Sequence, residues 1–467
     1  MDCMTAPSRN LILTYYDDLR QLISERVSDP NPVLDPVAFS PGFFLPEIDD
    51  VLRRYLAAAT ARWDTLPAYH STPLKLLDLT GNPGTNTTKT FASLLIVARA
   101  VEFIRRCGEP VLIVTPSSGN KGIALRDAVA RAITAGLVSS DQLAVAVVVP
   151  SRAAAKLRSD LLSQRADLRP RNPVLVFDGA RDEDVKPLAR KFVDSYAEQF
   201  SRRTGARLWF TLELGNYLIA DAARALFEHE ISPTARAARP RVHAHAVSSA
   251  FGLLGYNLGR DLLEARGAAS AADRPGFLLV QHLATPDMVL SWHHGSFSRQ
   301  GIPRYSFCHA TGLYEQSADR RFPFGVHDPA EVLEPTFYSQ RPATSPAMNA
   351  YLERFGGGGI VVSMHECLER YRSISSLLGG TALRLPADPH DLREWSLVMA
   401  FTGVMNAVDR GLLEPGAEVV VHGSGSYAKG DYAPIEAAAV SSVRTPEDMA
   451  ARLFEPASQP GQRRGRS

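Results

Sequence analysis

The residues best suited to chemistry lie in one short stretch, Asn82-Pro-Gly-Thr-Asn-Thr-Thr-Lys-Thr-Phe91. A polar, turn-forming run ends in a lysine, and the sequence predicts a helix over residues 90–100 directly after it. Lys89 therefore stands at a loop-to-helix junction rather than on a solvated helix face. At such a junction the backbone is fixed and N–H groups point outward. A lysine whose pKa is lowered there offers a free amine for Schiff-base formation.

Three further small, polar loops follow apolar strand-like runs. Val111-Leu-Ile-Val-Thr115 runs into Pro116-Ser-Ser-Gly-Asn-Lys-Gly122, with a helix expected over 123–135. The run 242–247 enters Ser248-Ser-Ala-Phe-Gly-Leu-Leu-Gly255, with a helix from about 256. Val419-Val-Val421 enters His422-Gly-Ser-Gly-Ser-Tyr427. A strand, a small polar loop and a helix in that order present backbone N–H groups to an anion. The 248–255 loop has no Lys or Arg of its own, which suits an anion held by N–H groups and a helix N-terminus.

The elements that must position these loops alternate along the chain. Strands are expected at 144–149, 174–177, 208–212, 277–281 and 360–363, and helices at 152–162, 182–200, 218–230, 365–378 and 390–410. Such alternation predicts an α/β fold of two parallel-rich sheet domains wrapped by helices. Residues 11–26 and 46–62 read as helices of an N-terminal helical extension, 1–70. Residues 71–110 and 235–445 form the expected large, cofactor-binding domain, and 111–234 a smaller mobile one. Residues 446–467 form a tail whose polar, basic end reads as disordered. Residues 292–350 read as long loops with short helices, and Gly356–Gly359 as a flexible surface turn. No repeat of solenoid period occurs.

Composition narrows the classes. The chain has 467 residues, 45% hydrophobic and 22% charged, with net charge +1. That balance gives no electrostatic case for nucleic acid or an anionic membrane. The four cysteines are widely spaced with no C-x-x-C pair, which reads as a reducing, cytoplasmic setting. No signal peptide and no bilayer-length apolar run is apparent. The pairs His293-His294 and Cys308-His309 lack further ligands at useful spacing, so no metal is expected. A nicotinamide-binding Gly-x-Gly-x-x-Gly with its acidic partner is missing.

In this order, from residue 72 to 431, the four motifs resemble those of fold type II pyridoxal-phosphate enzymes: tryptophan synthase β subunits, cysteine synthases and threonine synthases. The resemblance implies pyridoxal 5′-phosphate as cofactor and Lys89 as its Schiff-base lysine. Thr87 and Thr88 fit the small hydroxylated residues that precede that lysine, while Phe91 stands where arginine is common. Ser117, Ser118, Gly119 and Asn120 would hold a substrate carboxylate, with Asn120 also on the cofactor's phenolic oxygen. The unaided reading of that loop is a β-α turn with Gly119 at positive φ and Ser117 as a cap. Ser248, Ser249 and Gly252 would cradle the cofactor phosphate. Either Ser424 or His422 would face the pyridine nitrogen, with Ser424 preferred. Tyr427, Lys429 and Asp431 resemble the end of that last motif, and Gly215-Asn-Tyr217 a structural turn.

The implied activity is β-replacement or β-elimination on an amino acid with an activated leaving group, through a Lys89 Schiff base and an aminoacrylate. The partners are that small molecule and, for replacement, a second, nucleophilic substrate. Threonine-synthase-like γ chemistry on an O-phosphohomoserine-like substrate is the alternative. A non-catalytic cofactor-binding scaffold or sensor is the alternative of another class. The resemblance also implies a homodimer.

Overall fold

The computed structural model describes residues 7–233 and 239–455. The chain divides into two compact units: residues 1–22, 58–92 and 214–431 form one, and 23–57, 93–213 and 432–467 the other. Both are α/β, with parallel-rich sheets and covering helices.

The first unit holds a seven-stranded sheet. Its order is Ser8–Asn10, Thr60–Tyr69, Thr72–Asp78, Glu418–Gly423, Arg241–Ala246, Gly276–His282 and Gly357–Val362. The first three strands pair antiparallel, and the rest run parallel. Leu74, Leu76, Ala244, Leu278, Val280, Val419 and Val421 pack one face against Val398, Phe401 and Val404 of the Ser396–Asp409 helix. Near-continuous apolar strands are what a sheet covered on both faces requires.

The second unit holds a five-stranded, wholly parallel sheet: Val440–Val443, Val174–Phe177, Leu143–Pro150, Val111–Pro116 and Arg207–Phe210. Phe192 and Phe200 of the Val185–Thr204 helix and Phe454 of the Pro446–Phe454 helix close one face.

Several expectations need correction. Residues 60–69 form a strand, not the end of a helix, and only Asp50–Leu56 is helical there. The 1–70 stretch thus contributes two strands to the main sheet. The helix expected over 152–162 is a 3-10 turn, Ser151–Lys156, and a short helix, Leu161–Gln164. Asp160 restarts it with a capping box to Ser163. The expected 390–410 helix begins only at Ser396, behind a short strand, Leu392–Glu394. The 446–455 part of the tail is no tail: Thr445 caps a helix that packs into the second unit's core. The disorder expected from 456 onward lies outside the described residues.

The glycine run is also not a surface turn. Gly357, Gly358 and Gly359 pair in register with Phe277, Leu278 and Leu279 at the sheet edge. Gly357 sits at φ +117, where any Cβ would run into the Phe277 carbonyl. Only glycine lets the backbones approach this closely.

Candidate active site

Within the first unit, three of the four motif loops leave the carboxyl ends of neighbouring parallel strands. Thr72–Asp78 leads to the lysine turn, Glu418–Gly423 to the Gly-Ser-Gly loop, and Arg241–Ala246 to the 248–255 loop. The crevice at the carboxyl ends of parallel strands is where open α/β sheets bind ligands.

The lysine turn is stiffened from inside. Asn86 N and Thr85 N donate to the Asn82 carbonyl, and Asn86 takes φ +51. Thr90 Oγ1 donates to the Thr87 carbonyl, 2.9 Å away. The turn is then stitched to the distant Gly-Ser-Gly loop. Thr88 N and Thr87 Oγ1 donate to the Ser424 carbonyl at 2.8 and 3.2 Å, and Ser426 N donates to the Asn86 carbonyl at 3.2 Å. Gly425 is glycine because a Cβ there would lie 2.8 Å from the Glu394 side chain.

Lys89 opens the Lys89–Cys107 helix. Its Nζ lies 5.4 Å from the Tyr217 ring centre, and the residue as a whole is half-buried. Burial holds its pKa below the usual amine range; Asp221 and Glu394 oppose the shift and Arg224 adds to it. The outcome is an amine biased toward its neutral, nucleophilic form.

The 248–252 loop has the donors an anion needs. Ala250 takes φ +50 and turns the chain into the Phe251–Ala265 helix without a side-chain cap. Among the described residues, the N–H groups of Ser248, Ser249, Ala250, Phe251 and Gly252 donate to no partner, nor do the two serine hydroxyls. Unpaired donors at the start of a helix are the groups an anion can use. Thr344 Oγ1 braces the loop by donating to the Ser249 carbonyl at 2.7 Å.

His422 and Ser424 differ sharply in what they have left to offer. His422 is fully buried, with Nδ1 3.1 Å from Arg224 Nη1 and Nε2 2.8 Å from His243 Nδ1. Arginine only donates, so His422 Nδ1 accepts and its Nε2–H donates to His243. That leaves His243 Nε2, carrying the proton, 3.3 Å from Glu228 Oε2. Both nitrogens of His422 are thus engaged, and burial holds it neutral, its pKa well below the ordinary value. The Ser424 hydroxyl hydrogen-bonds no other described residue.

Four site residues come from one helix, Leu214–Ile231. Tyr217, Asp221, Arg224 and Glu228 recur at helical spacing and are all buried. Arg224 donates to Asp221 Oδ1 at 2.6 Å and to Thr88 Oγ1 at 2.7 Å. The Ser117–Asn120 loop belongs to the second unit. There Ser117 Oγ accepts from Gly119 N and Gly122 N at 3.0 and 2.8 Å, and Gly119 takes φ +124. These are the contacts of a capped β-α turn. Asn120 is buried at the first position of its helix, and Ser118 is half-buried.

Residues 7–457 match the model of a family of unknown function, DUF6002. The chain belongs to that family. No curated protein matches this DUF6002 member. Solved structures resemble it at low identity. A pyridoxal 5′-phosphate-dependent aspartate racemase is 13% identical with a TM-score of 0.48, over 89% of this chain and 95% of that one. Threonine synthase from yeast is 10% identical with a TM-score of 0.48, over 88% and 76%. The pyridoxal-phosphate-bound threonine synthase from Brucella melitensis is 12% identical with a TM-score of 0.46, over 84% and 81%. The chemistry of the DUF6002 site rests on its own residues. Among those described, no helix is long and apolar enough to cross a membrane, and no cluster of His, Cys, Asp or Glu could hold a metal.

Proposed function

We propose that the first unit is a pyridoxal 5′-phosphate site and that the protein catalyses elimination or replacement at the β carbon of an amino acid bearing a leaving group. The observation that carries this reading is the presence of three parts at the carboxyl ends of three neighbouring parallel strands. They are a desolvated Lys89 amine, a helix-start loop of free N–H donors at 248–252, and an uncommitted Ser424 hydroxyl on the loop bonded to the lysine turn. An aldehyde, a phosphate and a heteroaromatic nitrogen on one small molecule would engage all three.

Pyridoxal phosphate, when bound, supplies an electron sink for bonds broken at the substrate's α carbon. The chain's own groups do the rest. Lys89 would be the amine that holds the cofactor's aldehyde and, when freed by substrate, the base for the α proton. The N–H groups of residues 248–252 and the Phe251–Ala265 helix start would hold the phosphate. Ser424, rather than the doubly engaged His422, would partner the ring nitrogen. A neutral hydroxyl partner would leave that nitrogen largely unprotonated and so would favour chemistry in which a leaving group departs.

The test has two stages. Borohydride reduction of protein incubated with pyridoxal phosphate, followed by peptide mapping, should tag Lys89. The protein is then given O-acetylserine, O-phosphoserine and O-phosphohomoserine. Release of acetate or phosphate from the serine derivatives is the expected result, whereas turnover of O-phosphohomoserine alone means γ chemistry. A tag on another lysine, or on none, overturns the reading. A tag on Lys89 with neither turnover nor exchange of the α proton into deuterated solvent across an amino-acid panel leaves a cofactor-binding sensor.

A further inference from the structure

The 248–255 loop carries no cation in its sequence, yet the structure sets one against it. Arg224, 1% exposed, reaches the loop from the Leu214–Ile231 helix. A Cβ built on Gly252 would lie 2.5 Å from Arg224 Nη1 and 2.9 Å from its Cζ, so the guanidinium packs directly against the Gly252 backbone. The same guanidinium holds Thr88, the residue before Lys89, and His422, the residue that opens the Gly-Ser-Gly loop. One side chain therefore touches all three loops of the crevice.

Its own position is fixed from two sides. Asp221 accepts from Nε at 2.9 Å and from Nη2 at 2.6 Å. His422 accepts from Nη1, and behind it stand His243, Glu228, Arg241 and Glu418 in a buried chain of ion pairs and hydrogen bonds. An arginine fork uses its planar donors this way to fix several groups at once.

We propose that Arg224 is the positioning residue of this site: it ties the lysine turn to the Gly-Ser-Gly loop and turns the guanidinium end of its ion pair with Asp221 toward Gly252, where it favours a bound phosphate. The proposal rests on the reading of residues 248–252 as a phosphate loop. It explains how a loop without Lys or Arg holds a dianion, and why position 252 has no room for a side chain.

The test compares three probes by isothermal titration of the cofactor-free protein: pyridoxal 5′-phosphate, pyridoxal, and inorganic phosphate. Arg224→Gln should weaken pyridoxal phosphate and phosphate by about tenfold or more, the scale of one lost charge-assisted contact, and pyridoxal by about threefold at most. Arg224→Lys keeps the charge and loses the fork. It should restore most of the phosphate affinity while changing the pH profile of Lys89 imine formation, read by absorbance. Gly252 is not at a positive φ, so Gly252→Ala acts through its clash with the guanidinium and should reproduce the phosphate loss. Adding Gly252→Ala to Arg224→Gln should cost little more, because the shorter side chain removes the clash. Equal losses for pyridoxal and pyridoxal phosphate would mean a merely structural Arg224 and overturn the proposal. So would unchanged affinities in both variants of a wild type that binds. A wild type that binds neither pyridoxal phosphate nor phosphate would instead sink the phosphate-loop reading itself, and the proposal with it.

Discussion

Glu228→Gln should destabilise the protein by about 3–4 kcal/mol near neutral pH, with a pH dependence that identifies the cause. Burial by itself would push the Glu228 carboxyl up; His243 and Arg241 overcome it and hold the group at about 2, against an ordinary 4.5. At roughly 1.4 kcal/mol per unit, that difference corresponds to about 3–4 kcal/mol of stability. Breaking a buried ion pair by removing one partner costs on the same order, about 3–5 kcal/mol. The sign follows from the folded value lying below the unfolded one. The contribution is fully present above about 4.5 and is lost as the pH falls through about 2. Glutamine cannot imitate the carboxylate, since Oε1 accepts from Arg241 and Oε2 faces His243 Nε2, so its amide NH2 must oppose one donor. Denaturant unfolding of both proteins at several pH values is the assay. The gap should be constant above about pH 5 and narrow below about pH 4.5. A gap under about 1 kcal/mol near pH 7, or one that stays constant down to about pH 3, would refute the assignment of an ionised Glu228 at the end of the histidine chain.

Other outcomes are open to direct measurement. Lys89→Arg should abolish the borohydride-trapped adduct while leaving the far-UV circular dichroism spectrum intact. Ser424→Ala should shift the absorption of bound pyridoxal phosphate with little effect on unfolding. His422→Ala should do the reverse, costing about 1–3 kcal/mol as Arg224 and His243 each lose a buried partner. Gly357→Ala should cost about 1–3 kcal/mol in denaturant unfolding and loosen hydrogen exchange along Gly276–His282, because an L side chain at φ +117 is strained and blocked.

Much of the architecture could be read from periodicity, because buried parallel strands and their covering helices carry strong patterns. Val174–Phe177 and Val111–Pro116 are short apolar runs bounded by turns, and they fall where the sequence places them. The failures have local causes. Thr60–Tyr69 carries Arg62, Asp64 and Pro67 in an antiparallel strand near the sheet edge, so charge and proline hide it. The Gly357–Val362 strand begins with three glycines, whose composition says turn while the close approach to Phe277 says strand. Residues 152–162 contain helix formers, but the chain between the two short helical pieces is extended and Arg158 bridges Pro434, a long-range pairing that no local pattern records.

The site divides along the same line. The lysine turn and the loops after strands are local motifs, and a reading of successive residues finds them. The groups that hold them are not local, although a trace was present in the sequence. In the Leu214–Ile231 helix the spacing 217, 221, 224, 228 places Tyr, Asp, Arg and Glu on one stripe of a mostly apolar helix that is buried nearly all round. His243 and His245 alternate on one face of their strand, and the pairing of Val420 with His243 brings His422 onto the neighbouring strand beside them. A buried polar stripe on a helix and three histidines on adjacent strands each cost desolvation, and each makes sense only if the two meet. They do meet, through Arg224 and His422 at one end and Glu228 and His243 at the other. Charged side chains at helical spacing inside an apolar helix, next to alternating histidines in a strand, therefore point to a site's supporting groups even where its motif loops show no cation.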